Sequence, residues 1–301
     1  MSTLAHTPYD GSTKPFTIGL KPLDLATWIE IDEHLPAYLA EKAVLNRALP
    51  DKVFAAEADT DAAQAEVLHL LLEHLLAFYP DRYRREGETV HLRATGTTID
   101  LGRSAPLLAA AALVQEDLVL MRRGDDGWRL AAASLCFPSS WNLRDKFGRT
   151  LTAIHDPVPD FGAGSRADGL INRMFDKLQP ANPVQRWNWS LQPDAERHKP
   201  LSDSLVSHKG VRRFPSDDTA ASTFIRVERQ TLRKLPASGD ILFTIRIYVD
   251  PVAVLSRHAD CSSLAASFAE QLSALDTAQL DYKGLSADRD QLVTMLERLG
   301  R

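Results

Sequence analysis

Of the nine histidines in this 301-residue chain, His155 has the most suggestive neighbours. Leu143, Phe147, Leu151 and His155 recur every four residues, so on a helix the imidazole falls on the apolar stripe. Pro157 and Pro159 follow directly, which puts the histidine in a last helical turn. An imidazole fixed in direction and shielded from water suits an axial metal ligand. A core histidine satisfied by one hydrogen bond fits the same pattern.

A second constellation sits on two strand-like runs. In 225–231, Arg226, Glu228 and Gln230 lie opposite Val227. In 241–248, Ile241, Phe243, Ile245 and Ile247 share one face and leave Thr244, Arg246 and Tyr248 on the other. Each strand thus has a polar face, which either meets solvent or lines a polar pocket. The mixture of Arg, Glu, Gln and Tyr differs from the Lys and Glu of an ordinary solvated face, but periodicity does not choose between the two.

Other arrangements carry less chemistry. His69, Glu73 and His74 resemble a zinc-protease helix, but the histidines are five apart, about 140° around a helix, where ligands need i, i+4. Gly162-Ala163-Gly164 lacks the third glycine of a dinucleotide fingerprint and follows prolines rather than a strand. Neither GxxxxGK[ST] nor GxSxG occurs. Cys136 lies in an apolar run with nothing nearby to lower its pKa, and reads as a buried small residue.

The elements that must position these residues follow from the same periodicities. Residues 1–14 read as a loose start, and 16–49 as a short extended piece followed by helix, with Asp24 a candidate N-cap. Leu68, Leu71, Leu72, Leu75 and Tyr79 make 62–79 the clearest helix, stopped by Pro80. A weak strand pair fits 86–101, and a short helix or buried connector fits 106–115. Gly124-Asp125-Asp126-Gly127 between 118–123 and 128–137 is a hairpin signature. Residues 141–154 read as helix, 162–179 as a loop and short helix, 186–191 as strand, and 194–216 as a surface excursion. Strands over 223–231 and 240–249 precede a helical C-terminus, where Ser286 is a candidate N-cap and Leu292, Met295, Leu296 and Leu299 share a face. The order predicts an α+β fold built on an antiparallel sheet, in one integrated domain over 1–301.

Composition sets the outer limits. Lys plus Arg number 35 against 40 Asp plus Glu, a net charge of −5, so no nucleic-acid partner is expected. Two cysteines are too few for a disulfide framework or a Cys-rich zinc module. The ten apolar residues of 105–114 span about half a membrane, and no secretory signal precedes the first helix. The expectation is a cytoplasmic protein with no membrane partner.

Several ordered motifs carry a family resemblance. Cys136-Phe137-Pro138-Ser139-Ser140-Trp141, Lys146-x-Gly148, Ile154-His155-x-Pro157-Val158-Pro159, Asn188-Trp189-Ser190-Leu191, the run 226–232 with Leu235-Pro236, and Phe243-Thr244-Ile245-Arg246-x-Tyr248 resemble the haem-dependent oxidative N-demethylases. The start fits as well, from Pro15-Phe16 through Gly19-Leu20 to Leu23-Asp24 and Trp28. The resemblance covers roughly 15–250. Ser140 is a possible departure from it, since a small residue, often glycine, is expected before the tryptophan.

The resemblance implies a PAS-like antiparallel sheet flanked by N- and C-terminal helices, with a haem b-binding core at about 100–250 and C-terminal helices over 251–301. It implies oxidation of a small secondary or tertiary methylamine with O₂, releasing formaldehyde. His155 becomes the haem-iron ligand, a normal role for a neutral imidazole. Arg226, Glu228 and Gln230 become candidate catalytic pocket residues, with Arg226 placed to hydrogen-bond bound oxygen and Glu228 to hold the cationic amine. Trp141, Arg144, Lys146 and Arg149 flank the histidine as candidate cofactor contacts, the three cations facing haem propionates. Electrons would come from a separate flavin and iron–sulfur reductase using NAD(P)H, since the chain has no convincing Rossmann or P-loop signature and too few cysteines for an ordinary cluster. A haem-binding PAS-like sensor and a non-catalytic structural subunit are the alternative readings. The intact histidine motif speaks against loss of haem, and no kinase, cyclase or DNA-binding segment is visible to a sensor's purpose.

Overall fold

The computed structural model describes residues 4–200, 210–215 and 219–301. A two-residue strand, β1 (Lys21–Pro22), leads to helices α1 (Leu35–Ala48) and α2 (Pro50–Val53), strand β2 (Phe54–Ala56) and the long helix α3 (Asp61–Phe78). Strands β3 (Tyr83–Glu86), β4 (Thr89–Leu92) and β5 (Thr97–Asp100) form a small antiparallel sheet of their own, where a strand pair was expected. Helix α4 (Pro106–Ala111) then returns the chain to the main sheet. There β6 (Asp117–Gly124) and β7 (Gly127–Ser134) make the hairpin read from the sequence. Gly127 turns it at φ +116°, where an L side chain would be strained.

Helices α5 (Leu143–Lys146), α6 (Leu151–His155) and α7 (Arg166–Lys177) separate β7 from β8 (Val184–Gln192). A second hairpin pairs β9 (Phe224–Lys234) with β10 (Ile241–Pro251), and α8 (Cys261–Ser273), α9 (Thr277–Lys283) and α10 (Arg289–Leu299) follow. The main sheet runs β1-β8-β9-β10-β6-β7-β2, antiparallel throughout. The architecture is α+β with an antiparallel main sheet, as the element order predicts. Among the described residues no helix is long and apolar enough to cross a membrane.

Three readings need correction. The helix expected over 141–154 is broken in two. Gly148, at φ +74°, donates to the Leu130 carbonyl at 2.9 Å, and the Leu130 amide donates to Arg149 O at 3.1 Å. Pairing with β7 thus takes the backbone groups that a continuous helix would need. Ser286 does not cap the last helix: its hydroxyl goes to Asp281, and Asp288 holds the cap position. Residues 4–15 carry no helix or strand, yet Tyr9 is fully buried and stacks on Phe268 at 4.2 Å. Of the surface excursion expected over 194–216, residues 201–209 and 216 lie outside the described residues.

Apolar side chains gather in three clusters. One joins α3 and α4 to the small sheet, through Leu71, Leu75, Val90 and Leu107. Another joins α7 to β6, β7 and β10, through Phe175, Met121, Leu130 and Ile245. The third seats the C-terminal helices on β8 and β9, through Phe268, Leu292, Trp189 and Val227. All three bury aliphatic and aromatic surface that contributes roughly 25 cal/mol per Å² removed from water.

His74 borders the first cluster, edge-on to Trp28 at 5.4 Å, with Nε2 buried and unpartnered. His69 instead pairs with Glu73 at the surface, so the two histidines of the near-miss zinc motif have unrelated settings. Burial pushes His74 down from 6.5 to about 4. Between those values the unfolded chain binds the proton and the folded chain does not, so stability is lost as pH falls from about 6.5 toward 4. The loss should be on the order of 2–3 kcal/mol for this side chain. Urea unfolding at pH 7, 5.5 and 4.5 should show the decline, and His74→Phe should make it shallower, leaving the part that His155 contributes; an unchanged profile in the variant would contradict this account.

Candidate functional site

One face of the main sheet and the helices above it enclose a cavity of about 280 Å³, far more than a trapped water needs. The strands contribute alternate residues, as the period of two requires: Asn188 and Ser190 from β8, Glu228 and Gln230 from β9, Phe243 and Ile245 from β10. Ile154 and His155 of α6 and Met174 and Phe175 of α7 also line it.

Helix α6 is short but well started, because the Thr150 hydroxyl accepts from Ala153 N at 3.3 Å. His155 is its last residue, and its Nδ1 lies 3.0 Å from the Leu151 carbonyl one turn back. A carbonyl can only accept, so the proton sits on Nδ1 and Nε2 keeps its lone pair. Burial, with a smaller push from the Lys146 ammonium, lowers the imidazole to about 4. It is therefore neutral at pH 7, the form that binds a metal. Its stripe is made by two helices rather than one, but the i, i+4 relation to Leu151 survives the break.

Glu228 and Gln230 reach the cavity together, and Gln230 Nε2 donates to Glu228 Oε2 at 2.9 Å. Arg226 does not line it, contrary to the pocket role read for it. The Asp117 carboxylate accepts from the amides of Cys136 and Phe137 at 2.8 and 2.7 Å, which carries that segment over the start of β9. Arg226 is fully buried beneath it and donates to the carbonyls of Phe137 at 2.7 Å and Arg197 at 3.0 Å. Its Nε stands 3.5 Å from Glu228 Oε1, so it acts on the cavity only through that carboxylate.

The polar face of β10 points the other way. In the β9–β10 register, Ile245 is opposite Gln230 and Ile247 opposite Glu228, and opposite residues share a face. Arg246 and Tyr248 therefore turn to the reverse side. There Arg246 meets Asp32 at 2.6 Å and Tyr248 donates to Glu30. That face is neither solvated nor part of the cavity: it is an internal ion-pair network.

The cations flanking the histidine divide in the same way. Trp141 and Lys146 line the cavity, with Lys146 Nζ 4.4 Å from the centre of the Trp141 ring. Burial lowers the lysine to about 8. Arg144 and Arg149 are exposed, and Arg144 donates instead to Asp51 O at 3.2 Å. The turn at Gly148 removes both from the side that a single helix would present.

Sequence reading missed Arg186, Asn188 and Lys283, all in the cavity wall. Arg186 and Asn188 alternate with Trp187 and Trp189 in a recognised strand, so their common face was available as a signal. Lys283 closes α9 almost a hundred residues away, and no local pattern marks it. Ser140, standing where glycine is often expected, has φ +59°, the region that glycine occupies at least cost. Burial, with the nearby Asp117, pushes the Cys136 thiol up to about 12, so it stays protonated and unreactive.

Over residues 19–293 the chain matches the family described as haem-dependent oxidative N-demethylase, alpha subunit-like. It belongs to that family. The match runs beyond the motifs near His155 to take in most of the C-terminal helices. The residues present suit the haem on which the family depends. His155 offers one free nitrogen, many of the residues lining the cavity are apolar, and cations are among the rest. Among the described residues no group of three or more His, Cys, Asp or Glu is placed to hold a bare metal ion. A haem, whose ring supplies four donors, needs far less from the protein.

The buried and exposed arginines should separate cleanly on substitution. Arg226→Met leaves two buried carbonyls and a carboxylate without their donor, and should cost about 3–5 kcal/mol in urea unfolding. Arg149→Ala should stay within about 0.5 kcal/mol of the parent. Equal effects would show that Arg226 is not the tie described here.

Proposed function

We propose that this chain is the haem b-binding catalytic subunit of an oxidative N-demethylase, with its main sheet serving as a PAS-like cradle. The substrate is a small secondary or tertiary methylamine, oxidised with O₂ to release formaldehyde. The observation that carries the reading is His155, neutral and with Nε2 free, lining the same cavity as a carboxylate held by its own strand.

A bound haem supplies the one-electron and oxygen chemistry that no amino-acid side chain provides. The work of the chain is to hold and orient. His155 would offer its Nε2 lone pair to the iron, and the Leu151 carbonyl keeps the ring from rotating and makes it a better donor. Glu228 takes the ammonium of the amine, which is cationic at neutral pH. Oε1 is the freer oxygen for this, because Oε2 already accepts from Gln230 and the Arg226 contact to Oε1 is long. Arg226 and Gln230 thus fix the carboxylate from behind and beside. Met174, Phe175, Phe243 and Ile245 keep water from the rest of the cavity, which strengthens the ion pair.

Electrons must come from elsewhere. A separate flavin and iron–sulfur reductase, drawing on cytoplasmic NAD(P)H, fits a family described as alpha subunit-like. The isolated chain with NADPH, O₂ and dimethylamine should not turn over steadily until such a reductase is added.

Two variants test the roles. His155→Ala should abolish the Soret band of the reconstituted protein, or weaken haem binding at least a hundredfold, while keeping the fold. Glu228→Gln should keep the haem content and lower formaldehyde production by ten- to a thousandfold. An unchanged spectrum in the first, or unchanged turnover in the second, would refute the corresponding role.

A further inference from the structure

The charges around Glu228 do not balance. Of the carboxylates, only Glu228 lines the cavity among the described residues, whereas Lys146, Arg186, Lys199, Arg213 and Lys283 all do. Lys199 is neutralised by Asp194 at 2.6 Å, and Arg213 faces Asp194 and Asp288. Among the described residues Lys146, Arg186 and Lys283 make no ion pair, although Asp145 adds a lesser opposing charge beside Lys146. Each has Glu228 as its chief opposing charge, so three cations share one anion.

What these three touch is mostly neutral. Lys283 Nζ donates to the Trp189 carbonyl at 2.5 Å and lies 4.7 Å from the Trp189 ring centre. Arg186 donates to Thr17 O at 3.1 Å, while its Nε is buried without a partner. Lys146 rests on the Trp141 ring. Burial disfavours all three charges, and an uncompensated charge in such a place costs several kcal/mol. Two positive charges left over in a buried wall call for an anion carrying two negative ones. They would also repel a cationic amine from Glu228 until that anion is present.

We infer that Lys146, Arg186 and Lys283 form the seat of a paired-carboxylate edge of the cofactor, the two propionates of haem b. The inference rests on the haem reading above and adds to it which edge of the ring meets which wall. It also replaces Arg144 and Arg149 with Arg186 and Lys283, brought in from β8 and α9. With the propionates in place the wall is neutral, and Glu228 is free to pair with the amine.

The test changes the ligand first, so that it does not depend on a variant folding. Haem-free protein is titrated with ferric protoporphyrin IX and with its dimethyl ester, which keeps the iron and ring but carries no carboxylates, and affinity is read from the Soret band. The free acid should bind at least tenfold tighter. Arg186→Met and Lys283→Met should each narrow that gap by weakening the free acid while leaving the ester unchanged. Equal affinity for the two ligands, both lost in His155→Ala, would overturn the propionate seat and leave the haem site standing. Absence of a Soret shift with both ligands would overturn the haem reading and this inference together.

Discussion

The register between β9 and β10 decides which side of the sheet can hold chemistry. It sets the polar residues of β9 beside the apolar residues of β10, so Glu228 and Gln230 share a face with Ile247 and Ile245. A one-residue slip would move every side chain to the opposite face. Glu228 would then join the acidic Glu30 and Asp32 on the reverse side, and Arg229 would enter the cavity. The present pairing keeps two charged systems apart. Arg229, Arg246 and Tyr248 bind the N-terminal acids on one side, and a single carboxylate faces the cavity on the other.

His155 depends on that arrangement through α6 and the turn before it. The pairing of Gly148 and Arg149 with Leu130 anchors α6 to β7, on the strand that also presents Leu130 to the cavity. The histidine is thereby held against the sheet rather than carried at the end of a free helix. Its bond to Leu151 selects the tautomer, and burial holds it neutral. These effects act in one direction: they leave a fixed, unprotonated nitrogen in the cavity that the strand residues also line, and ligand positioning of this kind is what a protein contributes to a cofactor.

Much of this was legible in the residues, for reasons that mark where legibility stops. The Gly124–Gly127 turn is local chemistry, and so is the leucine stripe of α3; both lie where the sequence predicts. His155 could be singled out because four residues and two prolines define its setting. The break at Gly148 could not, because Leu143, Phe147, Leu151 and His155 keep helical spacing across it and the competing hydrogen bond goes to a strand eighteen residues earlier. The polar faces of β9 and β10 were both visible, but that they lie on opposite sides follows from their pairing. Arg186 and Lys283 meet near Glu228 only because β8 and α9 are brought to the same end of the sheet. Their convergence is a property of the fold.

The measurement that bears most directly on the account is a crystal structure of the haem-loaded protein. It should place the iron within bonding distance of His155 Nε2, with the ring between α6 and the face that carries Glu228 and Gln230. Iron bonded to any other side chain, or a haem bound outside this cavity, would contradict it.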